Sequence, residues 1–446
     1  MRVRIPYLDR SLALDIPDEN LLAVAEPNEY PVTRPAGVIL RDAVDHPIGS
    51  PGADSTESLG EFLAGTGEIR RDPCRRPLII VNDATRPTPT AAMLEILMGA
   101  LKNAGIPRQN LTVLVATGAH RGPTEQEYRQ ILGASYDELR ALCVAHDARR
   151  EEDMVDLGFT RNGTPILLNR RLFEADRIIA TGSVEPHYFA GFTGGRKAFL
   201  PGVAAFKTIE TNHKLALSPA ARSLALRGNP VHEDMMDALP LIKAPVFSLM
   251  TVLDKDQKVA AASAGDLMGS FYAAVEVARK IFCVPVGERA DVVVSVAKFP
   301  MDIDLYQSQK AIDNGAVALK DGGTLILVSS CRDGIGDEAY AKLLAQADSP
   351  ADAIERIRGG YKLGYHKAAK MTEVSGRATV LGVTELPPER LRSMFIESAA
   401  SPQEALDRAL SDAKARGVPV PRVLVLPDGC VTVPEVLVSL RPEQNK

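Results

Sequence analysis

From about residue 76 onward, short unbroken apolar runs alternate with segments whose apolar residues recur at helical spacing. RPLIIVND (76–83) holds an apolar run of strand length. TAAMLEILMGALKNAG (90–105) carries one apolar helix face and ends on glycine, a common helix stop. LTVLVATGAH (111–120) reads as a second strand. These segments predict a β-α-β unit with a parallel strand pair, so that both loops after the strands open on one edge of the sheet. DRIIATG (176–182) predicts a third strand and runs straight into SVEPHYFAGFTGGRKAFLPG. That glycine-rich segment therefore lies beyond the carboxyl end of a strand, where open α/β sheets bind ligands.

The alternation resumes near Asp291. DVVVSVA reads as a buried strand, KFPMDIDLYQSQKAIDNGAVALKDG as a loop and helix, and GTLILVSS as the next strand. EALDRALSDAKARG (404–417) and RVLVLP (422–427) add a helix and a strand. VPVGERA (284–290) reads as a domain connection, and the Pro-, Gly- and Asp-rich stretch around 26–58 as an entry segment before the alternation begins. The predicted fold class is α/β, with two α/β domains, mainly parallel sheets, and the active site in the cleft between them. The predicted boundaries are 1–284 and 285–446, with the last residues returning to the first domain. No internal repeat, coiled coil or low-complexity tract interrupts this pattern.

Composition narrows the function classes. The 446 residues are 45% hydrophobic and 24% charged, enough for a large core. With 52 basic and 57 acidic residues the net charge is -5, which offers no global positive field to nucleic acid or an anionic membrane. The beginning, MRVRIPYLDRSLALDIP, lacks an apolar signal segment, and no stretch approaches the roughly 20 apolar residues that span a bilayer. A cytoplasmic protein is expected. Cys74, Cys143, Cys283, Cys331 and Cys430 form no C-x-x-C pair, which argues against a disulfide framework or thiolate zinc site.

GFTGGRKA (191–198) invites comparison with the phosphate loop G-x-x-x-x-G-K-[ST]. Arg196 stands where its second glycine belongs and Ala198 where its hydroxyl belongs, so magnesium-nucleotide hydrolysis is disfavoured. Taken alone, the segment reads as a tight turn bearing a solvated basic pair, Arg196-Lys197. Its surroundings weigh against that reading. Of seven histidines, His187 and His213 flank Lys197, and His120 sits on a neighbouring strand-end loop. His46, His146, His232 and His366 read as structural. No pair has zinc-hydrolase spacing, so any metal would be held directly by few side chains, with an organic ligand supplying the rest.

Two further clusters stand out. In Asp83-Ala84-Thr85-Arg86-Pro87, the carboxylate suits a turn and Arg86 offers a planar fork to a carboxylate or phosphate; both readings hold together. In DLYQSQK (304–310), Gln307 and Lys310 share a helical face near a helix start, which suits either a solvated surface or an anion site.

In order along the chain, DATRP (83–87), ATGAHRGPTEQE (116–127), GSVEPHYFAGFTGGRKAFLPG (182–202), TNH (211–213), GNPVHEDM (228–235) and DLYQSQKA (304–311) make a set that resembles the lactate racemase family, enzymes that use a nickel-pincer nucleotide. The resemblance implies a racemase or epimerase that inverts C2 of a 2-hydroxy acid. It implies that Lys197 is joined through a thioamide to pyridinium-3,5-bisthiocarboxylic acid mononucleotide, which grips nickel, and that His213 is a further nickel ligand. His120 and His187 would be the acid-base pair. Arg86, Tyr306, Gln307 and Lys310 would hold the substrate, and Asp83, Ala84, Thr85, Arg86, Ala198 and Phe199 would line the nucleotide. Proteins that build the cofactor are implied as partners.

The chemistry agrees with this inventory. A carbanion beside a carboxylate is poorly stabilised, whereas hydride removal gives a planar 2-oxo acid that takes hydride back on either face. That route needs a hydride acceptor, which side chains do not supply, and a base near neutrality for each enantiomer. Lactate-handling members of the family carry a tryptophan near the substrate and this chain has none. YKLGYHKAAK (361–370) offers Tyr361, Tyr365 or His366 instead, so the expected acid is lactate or a different 2-hydroxy acid. Two other classes are kept: a phosphate- or nucleotide-binding transferase with a degenerate glycine-rich loop, and a non-catalytic protein that binds a hydroxy acid.

Overall fold

The computed structural model describes residues 1–50, 56–66 and 72–437. The chain divides into two compact units, Glu29–Ile281, and Met1–Asn28 together with Phe282–Lys446.

The Glu29–Ile281 unit is built on a six-stranded sheet. Across it run Val259–Gly265, Val246–Leu253, Arg177–Ser183, Pro77–Asn82, Thr112–Ala116 and Cys143–Ala145, parallel except for the first. Leu78 to Val81 are buried throughout, as an apolar run with no polar alternation requires of a parallel strand covered on both faces. The helix Thr90–Asn103 packs Met93, Leu94, Leu97 and Leu101 into the core that also holds Ile79 and Val81. Each such side chain contributes about 1.5–3 kcal/mol on burial. The core therefore fixes where the strands end, and with them the loops that follow.

Chain order places the site. From Pro77–Asn82 the chain adds Thr112–Ala116 and Cys143–Ala145 on one side, then returns to add Arg177–Ser183 and Val246–Leu253 on the other. The order reverses between Pro77–Asn82 and Arg177–Ser183, and such a switch point opens a crevice at the carboxyl ends of the strands. The loops there begin at Asp83 and at Val184.

The second unit holds a six-stranded, all-parallel sheet ordered Glu397–Ser398, Thr379–Val383, Leu319–Val328, Ala290–Val296, Val423–Leu426 and Leu21–Val24. Its order reverses between Ala290–Val296 and Val423–Leu426. The helix Leu305–Gly315 follows the first of these strands and is capped by the Asp304 carboxylate, which accepts from the Gln307 N–H at 2.6 Å.

Two expectations need correction. Residues 1–28 belong with the C-terminal half, because Leu21–Val24 adds an edge strand beside Val423–Leu426 and Val3, Ile5, Leu14 and Ile16 enter that unit's core. The segment 284–290 is no plain connection: Cys283–Val286 is a strand paired with Val433–Val436, so the last described strand stays within its own unit. The entry stretch 26–58 is partly helical. Ala36–Asp45 is a helix, since Ile39, Leu40, Ala43 and Val44 give it a buried face within Pro- and Asp-rich flanks. Residues 51–55 of that stretch lie outside the described residues.

Candidate active site

The loop after Pro77–Asn82 places a nearly buried carboxylate. Asp83 accepts from the Thr85 amide at 3.2 Å and the Thr85 hydroxyl at 2.7 Å, and its second oxygen lies 2.8 Å from His120 Nδ1. Burial pushes the Asp83 carboxyl up, but the hydrogen bonds from His120 and Thr85 and the nearby Arg86 charge outweigh it and hold the pKa below the usual value. An ionised carboxylate only accepts, so Nδ1 of His120 carries a proton and its Nε2 is the basic nitrogen. His120 stands at the end of the Thr117–His120 turn, half exposed, with its orientation set by Asp83.

His187 is held by opposite chemistry. It sits in the two-residue pairing of Pro186–His187 with Gly191–Phe192, and its Nδ1 accepts from the N–H groups of Phe189 at 3.5 Å and Ala190 at 3.2 Å. Its Nε2 lies 3.3 Å from Lys197 Nζ. Phe189 gathers the remaining groups: its ring centroid is 4.6 Å from that of His187, 5.1 Å from that of His213 and 5.5 Å from Lys197 Nζ. His213 is nearly buried in the last turn of the helix Phe206–Lys214.

The glycine-rich segment is a strut, and Arg196 is not solvated. Its side chain is 0% exposed and donates to the carbonyls of Phe192 at 2.9 Å, Gly194 at 3.2 Å and Ala190 at 2.6 Å while lying 4.6 Å from the Phe271 ring centroid. Burial lowers its pKa to about 9, which leaves it cationic at neutral pH. Gly195–Ala198 forms a 3-10 turn and no α-helix starts there, so the helix N-terminus that serves a phosphate loop is missing. Gly195 has φ +54, and a Cβ on it would lie 2.8 Å from the Phe271 ring. Gly195→Ala is therefore expected to lower stability by roughly 2–4 kcal/mol through left-handed strain and overpacking, measured as a drop in the urea midpoint. An unchanged midpoint would contradict this role for the turn.

Half-buried Lys197 emerges from that turn. Burial, with Arg86 and Arg196 nearby, lowers its pKa well below that of an ordinary lysine, against a smaller opposing pull from Glu185. The Arg86 guanidinium is half-buried and has no ion-pair partner among the described residues. Ala84 packs on the core, Ala198 is buried and Phe199 is fully buried, so any contact of Phe199 with a nucleotide falls to its backbone.

Two residues of the GNPVHEDM segment position this site in ways no local pattern reveals. Asn229 is fully buried, caps the helix Pro230–Ala238, and donates to the Phe189 carbonyl at 2.8 Å. Asp234 accepts from Asn212 at 2.9 Å and so braces the helix that carries His213. His146 is buried with its ring nitrogens against the Ala204 carbonyl and Asn169, and buried His232 stacks on Phe271, both structural as expected.

The second unit groups Tyr306, Gln307 and Lys310 on the first turns of Leu305–Gly315. Tyr306 packs edge-on against Tyr340 at 5.5 Å, and Lys367 lies 4.3 Å from its ring centroid while donating to its carbonyl. Burial raises the Tyr306 pKa, which keeps the phenol protonated. Lys310 Nζ lies 3.1 Å from Met301 Sδ. The segment 361–370 lies beside this helix: Gln309 donates to the Lys367 carbonyl at 2.8 Å, and Tyr361 hydroxyl and His366 Nδ1 are 2.9 Å apart.

Among the described residues no three His, Cys, Asp or Glu side chains converge as metal ligands. A metal held by His213 would need donors from elsewhere, and a pincer group tethered at Lys197 is of the right kind to supply them. The half-buried amine, with His187 and His213 both packed on Phe189 beside it, fits such a group.

Family models and relatives match nearly the whole chain. Residues 7–223 match the family described as "Lactate racemase N-terminal domain" and residues 286–433 match "Lactate racemase C-terminal domain". The lactate racemase of Thermoanaerobacterium thermosaccharolyticum is 31% identical over 436 residues, covering 96% of this chain and 97% of that protein. That of Lactiplantibacillus plantarum is 31% identical over 437 residues, covering 96% and 98%. The solved lactate racemase apoprotein from T. thermosaccharolyticum superposes with a TM-score of 0.87 at 29% identity, covering 98% of this chain and 100% of that one. A Thermotoga maritima protein at 18% identity, with a TM-score of 0.65, shares the fold. The chain belongs to the lactate racemase family.

Proposed function

We propose that this protein inverts C2 of a small 2-hydroxy acid, lactate or a relative of it, with nickel and a pincer nucleotide attached at Lys197. The observation that carries the reading is the grouping of His187, Lys197 and His213 around Phe189, with His120 held by Asp83 after a strand of the same sheet, in a chain of this family. The bound group supplies a reversible hydride acceptor, which no side chain here provides.

The chain's own residues supply the rest. His120 Nε2, the nitrogen left to accept because Nδ1 faces Asp83, takes the hydroxyl proton of one enantiomer. His187 serves the other enantiomer. Arg86, with no carboxylate partner among the described residues, orients the substrate carboxylate, and Tyr306, Gln307 and Lys310 are assigned to the same task. The glycines at 194 and 195 let this turn pack closely on Val184 and Phe271, which fixes where Lys197 emerges. With no tryptophan in the chain, Tyr361, Tyr365 and His366 are the aromatic groups assigned to the substrate's side chain, which leaves room for acids other than lactate. Proteins that build the nucleotide are the implied partners, and a cytoplasmic location suits that supply. No described helix is long and apolar enough to cross a membrane.

A panel of enantiopure 2-hydroxy acids, followed by circular dichroism with protein made alongside the cofactor-building enzymes, tests the reading. Loss of optical activity without net consumption is expected for at least one small acid. Protein that carries the adduct and nickel but inverts none of the panel would refute it.

A further inference from the structure

We infer that Glu127 is a positioning residue for His120: it holds the Arg121 guanidinium away from Asp83, so that the charge of that carboxylate stays with the imidazole. This rests on the proposed acid-base role of His120, and it concerns what protects that role.

Arg121 follows His120 directly, and two carboxylates act on its charge, Glu127 and Asp83. Glu127 holds it. Nη1 and Nη2 of Arg121 donate to the two Glu127 oxygens at 2.7 and 2.8 Å, a fork-to-fork pair, and Nη1 also donates to the Gly122 carbonyl at 2.9 Å. Glu127 is itself anchored as the third residue of the helix Glu125–Leu132, where it accepts from the Thr124 amide at 2.6 Å in a capping box. The Arg121 contact is the largest cause that lowers its pKa to about 2, so this carboxylate is charged at neutral pH.

Asp83 has one oxygen for the ring. Oδ1 takes the Thr85 amide and hydroxyl, and Oδ2 lies 2.8 Å from His120 Nδ1. When His120 Nε2 takes a proton the ring becomes a cation, which the carboxylate on the far nitrogen stabilises. Arg86 already acts on this carboxylate, so a second guanidinium there would leave the ring facing net positive charge. Arg121 is 66% exposed, so the Glu127 fork rather than packing sets where its charge stands. Exposed ion pairs add little to stability, and the effect of this one is positional.

Glu127→Gln tests this, because glutamine still serves a capping box but carries no charge to hold a guanidinium. Ring NMR on the apo chain is expected to show the His120 Nδ1 proton bound to Asp83 in the parent, its signal moving upfield in Glu127→Gln and returning when Arg121→Gln is added. In the holoprotein, kcat/KM for racemisation is expected to fall roughly tenfold in Glu127→Gln, the scale of one unit charge moved at a partly exposed site. Arg121→Gln alone is expected to stay within about twofold of the parent, and the double variant within about threefold. A folding or loop defect from losing Glu127 would persist in the double variant, so recovery there separates the two causes. An unmoved Nδ1 proton signal, a Glu127→Gln rate within twofold of the parent, or a loss that Arg121→Gln does not reverse overturns the inference. The proposed function survives each of these results as long as the parent holoprotein inverts an acid. A parent that carries adduct and nickel yet inverts none refutes that function instead, whatever the apo NMR shows.

Discussion

His120→Gln is expected to lower kcat/KM for racemisation by roughly 10²–10⁴-fold, the usual contribution of a positioned general acid-base group. His120 is half exposed and its one protein partner of note is Asp83, so the unfolding midpoint should hold. The companion variant sharpens the test. Asp83→Asn keeps the shape of the loop but replaces an ionised acceptor by a neutral amide, which no longer requires the proton of His120 to sit on Nδ1. A rate loss of roughly 10²-fold or more is expected from misoriented or wrongly protonated imidazole, with His120 still present. Progress curves from each enantiomer, read by circular dichroism, measure both. If Asp83→Asn is as active as the parent, the carboxylate has no part in setting the imidazole.

Lys197→Met is expected to abolish activity altogether while leaving the fold intact. Methionine matches the aliphatic length of lysine, and the position already disfavours a charged ammonium through burial and two neighbouring guanidinium groups. Removing the amine therefore relieves a desolvation penalty, and thermal stability should stay level or rise. Lys197→Arg should be equally inactive, because a guanidinium retains the charge but is no acyl acceptor. Measurable turnover by either variant would show that attachment at this residue is dispensable.

How much of this was legible beforehand depends on the range of the interaction. The sheet strands announced themselves because a parallel strand buried on both faces must be apolar throughout, as in Pro77–Asn82 and Ala290–Val296. Loops after Pro77–Asn82, Thr112–Ala116 and Arg177–Ser183 carried Asp83, His120 and His187, so the side chains at one sheet edge could be grouped from element order alone. What escaped was set by contacts distant in sequence. The first strands join the C-terminal unit by pairing Leu21–Val24 with Val423–Leu426, a choice no local periodicity encodes. Arg196 looked solvated because its type is usually exposed, yet its two terminal nitrogens donate to the carbonyls of Ala190, Phe192 and Gly194 inside the core. Asn229 and Asp234 belonged to a quoted motif, but their reach to Phe189 and Asn212 needed the fold. The opposite settings of the two histidine rings were invisible as well, since both residues are the same letter and only their hydrogen-bond partners differ.

In the proposed function Lys197 forms a covalent bond where a phosphate-loop lysine would only make a contact. Peptide mass spectrometry across Lys197, on protein produced together with the cofactor-building enzymes and paired with a nickel assay, tests it most directly. A Lys197 peptide heavier by a pincer nucleotide is expected, with nickel in proportion to the modified fraction. An unmodified Lys197 in preparations that racemise a 2-hydroxy acid would contradict it.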